Sequence, residues 1–414
     1  SIKGTHDILP EQSKDWQELE NQIHKTANLY GYGEIRTPII ENAALFNRGV
    51  GQETDIVSKE MYSWNDRDKS IISLRPEMTA PVVRSYIQHN LGSNSLLQRL
   101  YYIGPSFRRE RPQKGRQRQF HQFGVEAIGS NNPEQDAEVI SLGWSILKSF
   151  GIDTIELKIS SIGSHSCRTN FRAELISYLS PFIRELSEIS QRRLEKNPLR
   201  ILDTKNEQEK QILKSAPKIE EFYTEEDKNY FLEVQQCIRD LKIPYKIDPL
   251  LVRGLDYYTQ TTFEISSKDL GAQDALLGGG RYDGLIKVLG GRDTPAVGFA
   301  AGMERVLIAA EKRKIIKNKI LCVYAICTHD DSLGRLQKSS EELRSLGIKV
   351  ICETLRRSMR AQMREANKCG ADFAIIIGEE EFVNETIQVK NLIKGKQESI
   401  NYQNLISYFK SLTF

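Results

Sequence analysis

The chain carries 58 Lys and Arg against 55 Asp and Glu in 414 residues, a formal net charge of +3. That length is too great for one ordinary core, so two or three domains are expected; the balanced charge excludes no partner class, but any nucleic-acid surface must be local. Six scattered cysteines without CxxC spacing, and six histidines without HExxH, point away from a zinc site or disulfide framework and toward core thiols in a reducing compartment. No apolar run approaches the roughly 18 residues of a membrane span, and the opening SIKGTHDILPEQ lacks the pattern of a secretory signal. A cytoplasmic chain with no membrane association and no metal cluster of its own is the expectation.

Taken in order, GTHDILP at 4–10 reads as a turn-rich entry. Pro10 and Glu11 suit the first turn of a helix. Trp16, Leu19, Ile23, Ala27 and Tyr30 recur at helical spacing, and Gly31 is the expected stop. A short strand is expected from Glu34 to Ile40. Pro38 cannot donate to a sheet ladder, so this strand belongs at an edge or an interface. A dimer contact and an ordinary edge strand both satisfy that. Residues 71–90 run from a strand into a helix, with Arg75, Pro76, Glu77 and Thr79 at the joint. Glu77 either caps the helix or presents its carboxylate to a ligand ammonium.

The stretch from Tyr101 to Gly129, YYIGPSFRRERPQKGRQRQFHQFGVEAIG, reads as strand, basic loop, strand. The loop, from about Arg109 to Arg118, holds five basic residues against Glu110, and Pro112 and Gly115 break regular structure. Beyond it the side chains alternate. His121, Phe123, Val125 and Ala127 suit a core. Phe120, Gln122, Gly124 and Glu126 line up an aromatic ring, an amide, a gap and a carboxylate. A hairpin with a solvated basic tip is one reading. The other is a site for an anionic, base-containing ligand, because guanidinium groups grip phosphates and Phe120 suits stacking.

Residues 133–150 read as a helix and 155–163 as a strand. From about Ser164 to Pro244 the chain turns helical, charged and broken, which suggests an insertion outside the main sheet. A strand is expected from Tyr257, with Arg253 and Gly254 just before it. In LLGGGRYDGL, at 276–285, the glycines permit close backbone approach to a ligand. Such a run is more often a turn or bulge, and it is no GxGxxG fingerprint. Residues 295–313 enter a helix with Phe299, Met303, Val306 and Ala310 as its stripe. Small neighbours let Arg305 reach past that face, unless it is simply a surface arginine. EKRKIIKNK, at 311–319, reads as a linker. Beyond it strands and helices alternate, the pattern of a parallel or mixed α/β domain. There Arg357, Arg360, Arg364 and Lys368 form a stripe for a phosphate backbone or a solvated helix face.

These pieces together resemble the bacterial-type histidyl-tRNA synthetases, class II aminoacyl-tRNA synthetases, over nearly the whole chain. GTHDILP resembles the family's opening signature. YGYGEIRTPIIE is similar to class II motif 1, FRRERPQKGRQRQFHQFGVE to motif 2 and PAVGFAAGMERVL to motif 3. LVRGLDYY and GGGRYDG resemble the two histidine-specific signatures. Lys3 and Met78 depart from the family's usual arginine and glycine.

The resemblance implies an α/β chain with an α+β catalytic domain at 1–315, an antiparallel sheet flanked by helices. It also implies a helical insertion at about 164–245 and a C-terminal α/β anticodon-binding domain at 319–414. It implies histidine activation by ATP with Mg²⁺, transfer to tRNA(His), and a homodimer. By position in the motifs, Arg108 resembles the arginine on the ATP α-phosphate, Glu110 the reader of the adenine amino group and Phe120 its stacking partner. Arg305 resembles the γ-phosphate arginine. Glu77 and Thr79, with Gln122, Glu126, Tyr257 and Tyr258, look like the groups around bound histidine. Arg253 resembles the family's own catalytic arginine, opposite Arg108. Gln113, Arg116 and Arg118 in the loop, and Arg360 and Arg364 in the stripe, are the expected tRNA contacts. A non-catalytic paralogue, the regulatory subunit of ATP phosphoribosyltransferase, is the competing expectation. Such paralogues commonly lack the C-terminal domain and the intact arginines, whereas Arg108, Arg253, Arg305 and 319–414 are all present.

Overall fold

A computed structural model describes residues 1–51, 54–202, 204, 206–251, 254–270, 274–311 and 320–412. Arg253 and most of the expected linker lie outside the described residues. The chain forms two units, Ser1–Lys314 and Ile315–Phe414.

The aromatic stretches flanking the basic loop form a hairpin, Gln98–Phe107 against Gln119–Ile128, with Tyr102 opposite Gly124 and Leu100 opposite Glu126. It is the spine of an eight-stranded sheet. The order across it is Gly33–Glu34, Gln98–Phe107, Gln119–Ile128, Ala296–Gly302, Ala275–Arg281, Thr259–Ser267, Ile155–Ser161 and Tyr245–Ile247. Only the two edge pairings are parallel. Period-2 alternation sends Phe123, Val125, Val297, Phe299, Phe263 and Ile265 to one face. There they pack against Pro10–Leu29, Pro133–Ser149, Glu225–Asp240 and Met303–Ala309 in the main apolar core. The first helix ends as expected at Gly31, whose φ of +75° suits glycine. Thr79–Gln88 lies on the opposite face, through Val82 and Tyr102.

Several expectations change in three dimensions. The strand from Glu34 to Ile40 is split. Gly33–Glu34 joins the large sheet, while Ile40–Asn42 joins a small one with Ile71–Leu74 and Ser63–Asn65. Between them the Thr37 and Pro38 carbonyls accept from the buried Arg75 guanidinium rather than from a neighbouring strand. Ala296–Gly302, read as the start of a helix, is a central strand because its small residues fit between two neighbouring strands. The glycine run, for which both close approach to a ligand and a turn or bulge were open, is the middle of the strand Ala275–Arg281. The insertion is also smaller than its charge pattern suggests. Its own core runs from Cys167 to Ile219, whereas Phe231, Val234 and Ile238 of Glu225–Asp240 pack into the main core.

The second unit is a five-stranded sheet in the order Lys349–Cys352, Cys322–Cys327, Phe373–Ile377, Thr386–Asn391, Gln397–Asn401, the first three parallel. Apolar clusters cover both faces, the arrangement that alternating strands and helices require. The polar strand Gln397–Asn401 carries no apolar periodicity and was not anticipated; it pairs at the edge. No helix among the described residues is long and apolar enough to cross a membrane.

Candidate active site

The face of the large sheet opposite the main core is stripped of side chains at its centre. In one row across the strands, Glu126 lies beside Gly298, Gly280 and Thr262; in the next, Gly124 lies beside Ala300, Gly278 and Glu264. A bound molecule can therefore rest on backbone. The glycines are sterically required: a Cβ on Gly298 would fall 1.9 Å from Glu126 Oε2, and one on Gly124 2.3 Å from the Phe299 carbonyl oxygen. Above this floor is a cavity of about 550 Å³.

One group of cavity side chains surrounds buried carboxylates. Glu126 Oε2 accepts from the Tyr282 hydroxyl at 2.5 Å and Oε1 from the Tyr102 hydroxyl at 3.2 Å. Burial pushes its pKa up to about 8, against the opposing pull of hydrogen bonds from Tyr282 and Thr79. Glu77 accepts from the amides of Thr79 and Ala80, both at 2.8 Å, and so caps Thr79–Gln88 while lining the cavity. Burial raises its pKa too, with those amides acting the other way. Gln122, Tyr257 and Tyr258 complete this wall, and the rings of Tyr257 and Tyr282 meet at 5.5 Å.

The second group is basic. Arg108 stands between the two: its Nε donates to the Pro76 carbonyl at 2.8 Å, beside Glu77, and its Nη1 is 3.8 Å from Glu110. Its guanidinium lies 5.1 Å from the centre of the Phe120 ring. Arg116 reaches Glu110 at 3.4 Å. Arg305 donates to the carbonyls of Gly115 and Ala275, at 3.1 and 2.7 Å, which ties the basic loop to the helix Met303–Ala309. The loop is further anchored where the Gly4 carbonyl accepts from the Arg118 amide at 2.7 Å. Carboxylates at one end and guanidinium groups with a half-buried aromatic ring at the other suit a zwitterion and a nucleoside polyphosphate held side by side.

A family model described as histidyl-tRNA synthetase matches residues 4–306, and one described as anticodon binding domain matches 321–412. The chain is 44% identical over 407 residues to a histidine–tRNA ligase of Rippkaea orientalis, covering 98% of this chain and 95% of that one. It is 45% identical over 414 residues to a histidine–tRNA ligase of Staphylococcus aureus strain JH9, covering 99% of each. The chain belongs to the histidyl-tRNA synthetase family. The crystal structure of apo S. aureus histidyl-tRNA synthetase matches it with a TM-score of 0.84 at 40% identity over 99% of both chains. A Bacillus halodurans protein described as an ATP phosphoribosyltransferase regulatory subunit/histidyl-tRNA synthetase shares the fold, with a TM-score of 0.67 at 23% identity over 91% of this chain. The nearly full-length relatives at 44–45% identity carry the ligase name instead.

Within this synthetase fold, the sequence-selected Glu77, Thr79, Arg108, Glu110, Phe120, Gln122, Glu126, Tyr257, Tyr258 and Arg305 line one cavity. Arg116, grouped by sequence with the outward loop residues, lines it as well. Gln113 is exposed at the loop tip, where its backbone pairs with Arg116. Arg118 is half-buried, its side chain packed near Gly4. In the second unit Arg360 and Arg364 are exposed, but Arg357 is paired with Glu353 at 2.6 Å and Glu365 at 3.4 Å, which removes it from the stripe. Sequence reasoning passed over Tyr102 and Tyr282, the two hydroxyls holding Glu126. The signal for Tyr282 was present, since it lies within GGGRYDG. Its neighbour Arg281 is structural: it is buried with Asp136 at 2.5 Å and with Asp283 at 3.1 Å.

Proposed function

We propose that this cavity activates histidine with ATP and that the chain is a working histidine–tRNA ligase. The observation that carries this reading is the buried Glu126, held by two tyrosine hydroxyls over a glycine floor. A ring N–H can add one more donor to such a carboxylate, and amino acids without one forgo that bond, which is a basis for selection. Glu77 and Thr79 receive the ammonium group, with Gln122, Tyr257 and Tyr258 around the ligand. At the basic end Arg108 holds the α-phosphate and Arg305 the γ-phosphate. Phe120 stacks on adenine, and Glu110 accepts from its amino group.

The histidine carboxylate then attacks the α-phosphorus, the bond to the bridging oxygen breaks, and pyrophosphate leaves. No general base is needed for a carboxylate nucleophile, so the protein's work is positioning and charge stabilisation. Arg253, which lies outside the described residues, is proposed as the second arginine at the reacting centre. Glu264, on the cavity wall beside Gly278, would supply a carboxylate to a Mg²⁺ ion carried in with the nucleotide. When bound, the ion offsets phosphate charge. In the second step the terminal ribose hydroxyl of tRNA(His) attacks the adenylate carbonyl and AMP leaves. Residues 1–315 are the catalytic domain, with an insertion starting near 164, and 319–414 bind the anticodon.

A cytoplasmic homodimer is proposed with this activity. Ile40 and Trp64 share an exposed face of the small sheet with Ile72 and Leu74, an apolar surface suited to a second copy; sedimentation reads the dimer directly. The decisive experiment is histidine-dependent exchange of pyrophosphate into ATP, followed by histidylation of tRNA(His). A chain that exchanges with no amino acid is not the enzyme proposed here.

A further inference from the structure

The segment from Gly254 to Gln260 forms part of the amino-acid wall, yet alternate positions along it are gripped from behind by the insertion and, at Gln260, by the helix Glu225–Asp240 that follows it. Arg200 Nη2 donates to the Gly254 carbonyl at 2.6 Å. Asp256 Oδ1 accepts from Arg200 Nε and Nη2, at 3.3 and 3.2 Å, and from Asn197 Nδ2 at 2.9 Å. Arg168 Nη1 donates to the Tyr258 carbonyl at 2.6 Å. Gln260 Nε2 donates to Asp227 Oδ1 at 2.8 Å. The same Asp227 accepts from the amides of Ser164 and Thr224, at 2.9 and 3.1 Å, where the chain enters and leaves the insertion. Gly254, Leu255, Tyr257 and Tyr258 line the cavity, while Asp256 does not. The same segment therefore both lines the cavity and is held from outside it.

We infer that the helical insertion positions the amino-acid end of the cavity, with Arg200, Asn197 and Arg168 as positioning residues acting through Gly254, Asp256 and Tyr258. The phosphate end is held by other groups: Arg108 donates to the Pro76 carbonyl and lies beside Phe120, and Arg305 donates to the Gly115 and Ala275 carbonyls. A shift of the insertion is thus transmitted to Tyr257 and Tyr258 and not to Arg108, Phe120 or Arg305. Charge-assisted bonds at half-buried positions hold geometry well, and small misplacements of substrate-binding groups are costly.

This inference rests on the proposed function, and the test separates the two. On the full chain, Arg200→Ala raises both the calorimetric Kd and the exchange KM for histidine, roughly ten- to a hundred-fold. The KM for ATP stays within about twofold. Arg200→Lys, which keeps the charge, falls between. Asn197→Ala removes one neutral donor and shifts histidine in the same direction by less; it serves as the readout if Arg200→Ala does not accumulate. Glu209→Gln is the control. Glu209 accepts from Ser187, Ser190 and Thr204 inside the insertion and touches nothing on the gripped segment, so it leaves histidine KM unchanged. Unaltered histidine affinity in Arg200→Ala and Asn197→Ala, an equal loss for ATP, or an equal effect of Glu209→Gln overturns the inference. A wild-type chain that neither binds histidine nor exchanges overturns the proposed function, and this inference with it.

Discussion

At the scale of a residue, Glu126 makes a prediction with a definite sign. Its ordinary value of 4.5 is raised to about 8 by burial, so the ligand-free site holds a proton through most of the physiological range. Charged, it is the stronger acceptor for a ring N–H. The ratio of wild-type to Glu126→Gln histidine affinity should therefore climb as pH rises toward and through about 8. Taking the ratio cancels the titration of histidine's own groups, and calorimetry at a series of pH values reads it. A flat ratio excludes a charged contact. The same shift has a stability consequence. Between the ordinary value and the raised one the folded state binds more protons than the unfolded state, so this carboxyl's contribution falls as pH rises across that window.

At the scale of an element, the glycine floor and the buried ion pair behind it make opposite kinds of demand. Gly298→Ala forces a Cβ against both Glu126 Oε2 and the Val125 carbonyl. Overpacking of this kind costs about 1–3 kcal/mol. Because the displaced atom is the ligand's proposed acceptor, histidine-dependent exchange should be lost before the fold is. Exchange at wild-type rates in a variant with a lowered melting temperature would separate the floor from the site. Arg281→Met acts only through the fold. It leaves Asp136 buried without its cation, and breaking such a pair from one side costs on the order of 3–5 kcal/mol. The double replacement Arg281→Met with Asp136→Leu should recover much of that loss in thermal unfolding. If the single variant melts like wild type, the Arg281–Asp136 pair contributes nothing to stability.

For the molecule as a whole, the proposed assignment gives adenylation and transfer to tRNA to different residues, so the two steps should separate by assay. Gln113→Ala at the exposed loop tip, and the pair Arg360→Ala with Arg364→Ala in the second unit, should spare pyrophosphate exchange and weaken tRNA binding. The arginine effect should shrink at high salt, and the salt slope should fall by about one for each phosphate that is no longer neutralised. Arg357→Ala should behave differently. It breaks the pair with Glu353, whose pKa that pair and a Tyr324 bond lower to about 2. The pair's stabilisation is fully present above the ordinary carboxylate range and is lost as pH falls toward about 2. The variant is therefore less stable than wild type near neutral pH and the difference fades in acid, with no change in salt-dependent tRNA affinity. An Arg357 variant with the full tRNA defect would return this residue to the stripe.

Much of this was legible in the chain because it is local. Alternation after the basic loop separated Phe123 and Val125 from Phe120, Gln122 and Glu126, since successive side chains on a strand must face opposite ways. Helical spacing and Gly31 marked the first helix, and the switch to alternating strands and helices marked the second unit. The motif residues selected for chemistry, Arg253 apart, came together in one cavity for the same reason: they sit on or beside periodic elements. What tertiary structure alone decided concerns residues whose neighbours are far away in sequence. Small residues such as Ala300 and Gly298 carry almost no preference of their own, and only the flanking strands made 296–302 a strand. Arg305 reads as a surface or a functional arginine until it meets the loop carbonyl at Gly115, and the role of Arg281 shows only where it meets Asp136. Helix 225–240 reads as charged insertion until its apolar stripe finds the main core. Glu126 is an ordinary carboxylate in the sequence. Burial beneath Tyr102 and Tyr282, residues 24 positions before it and 156 after, raises its pKa and fixes its partners, because desolvation and pairing depend on the fold's long-range contacts and not on the local chain.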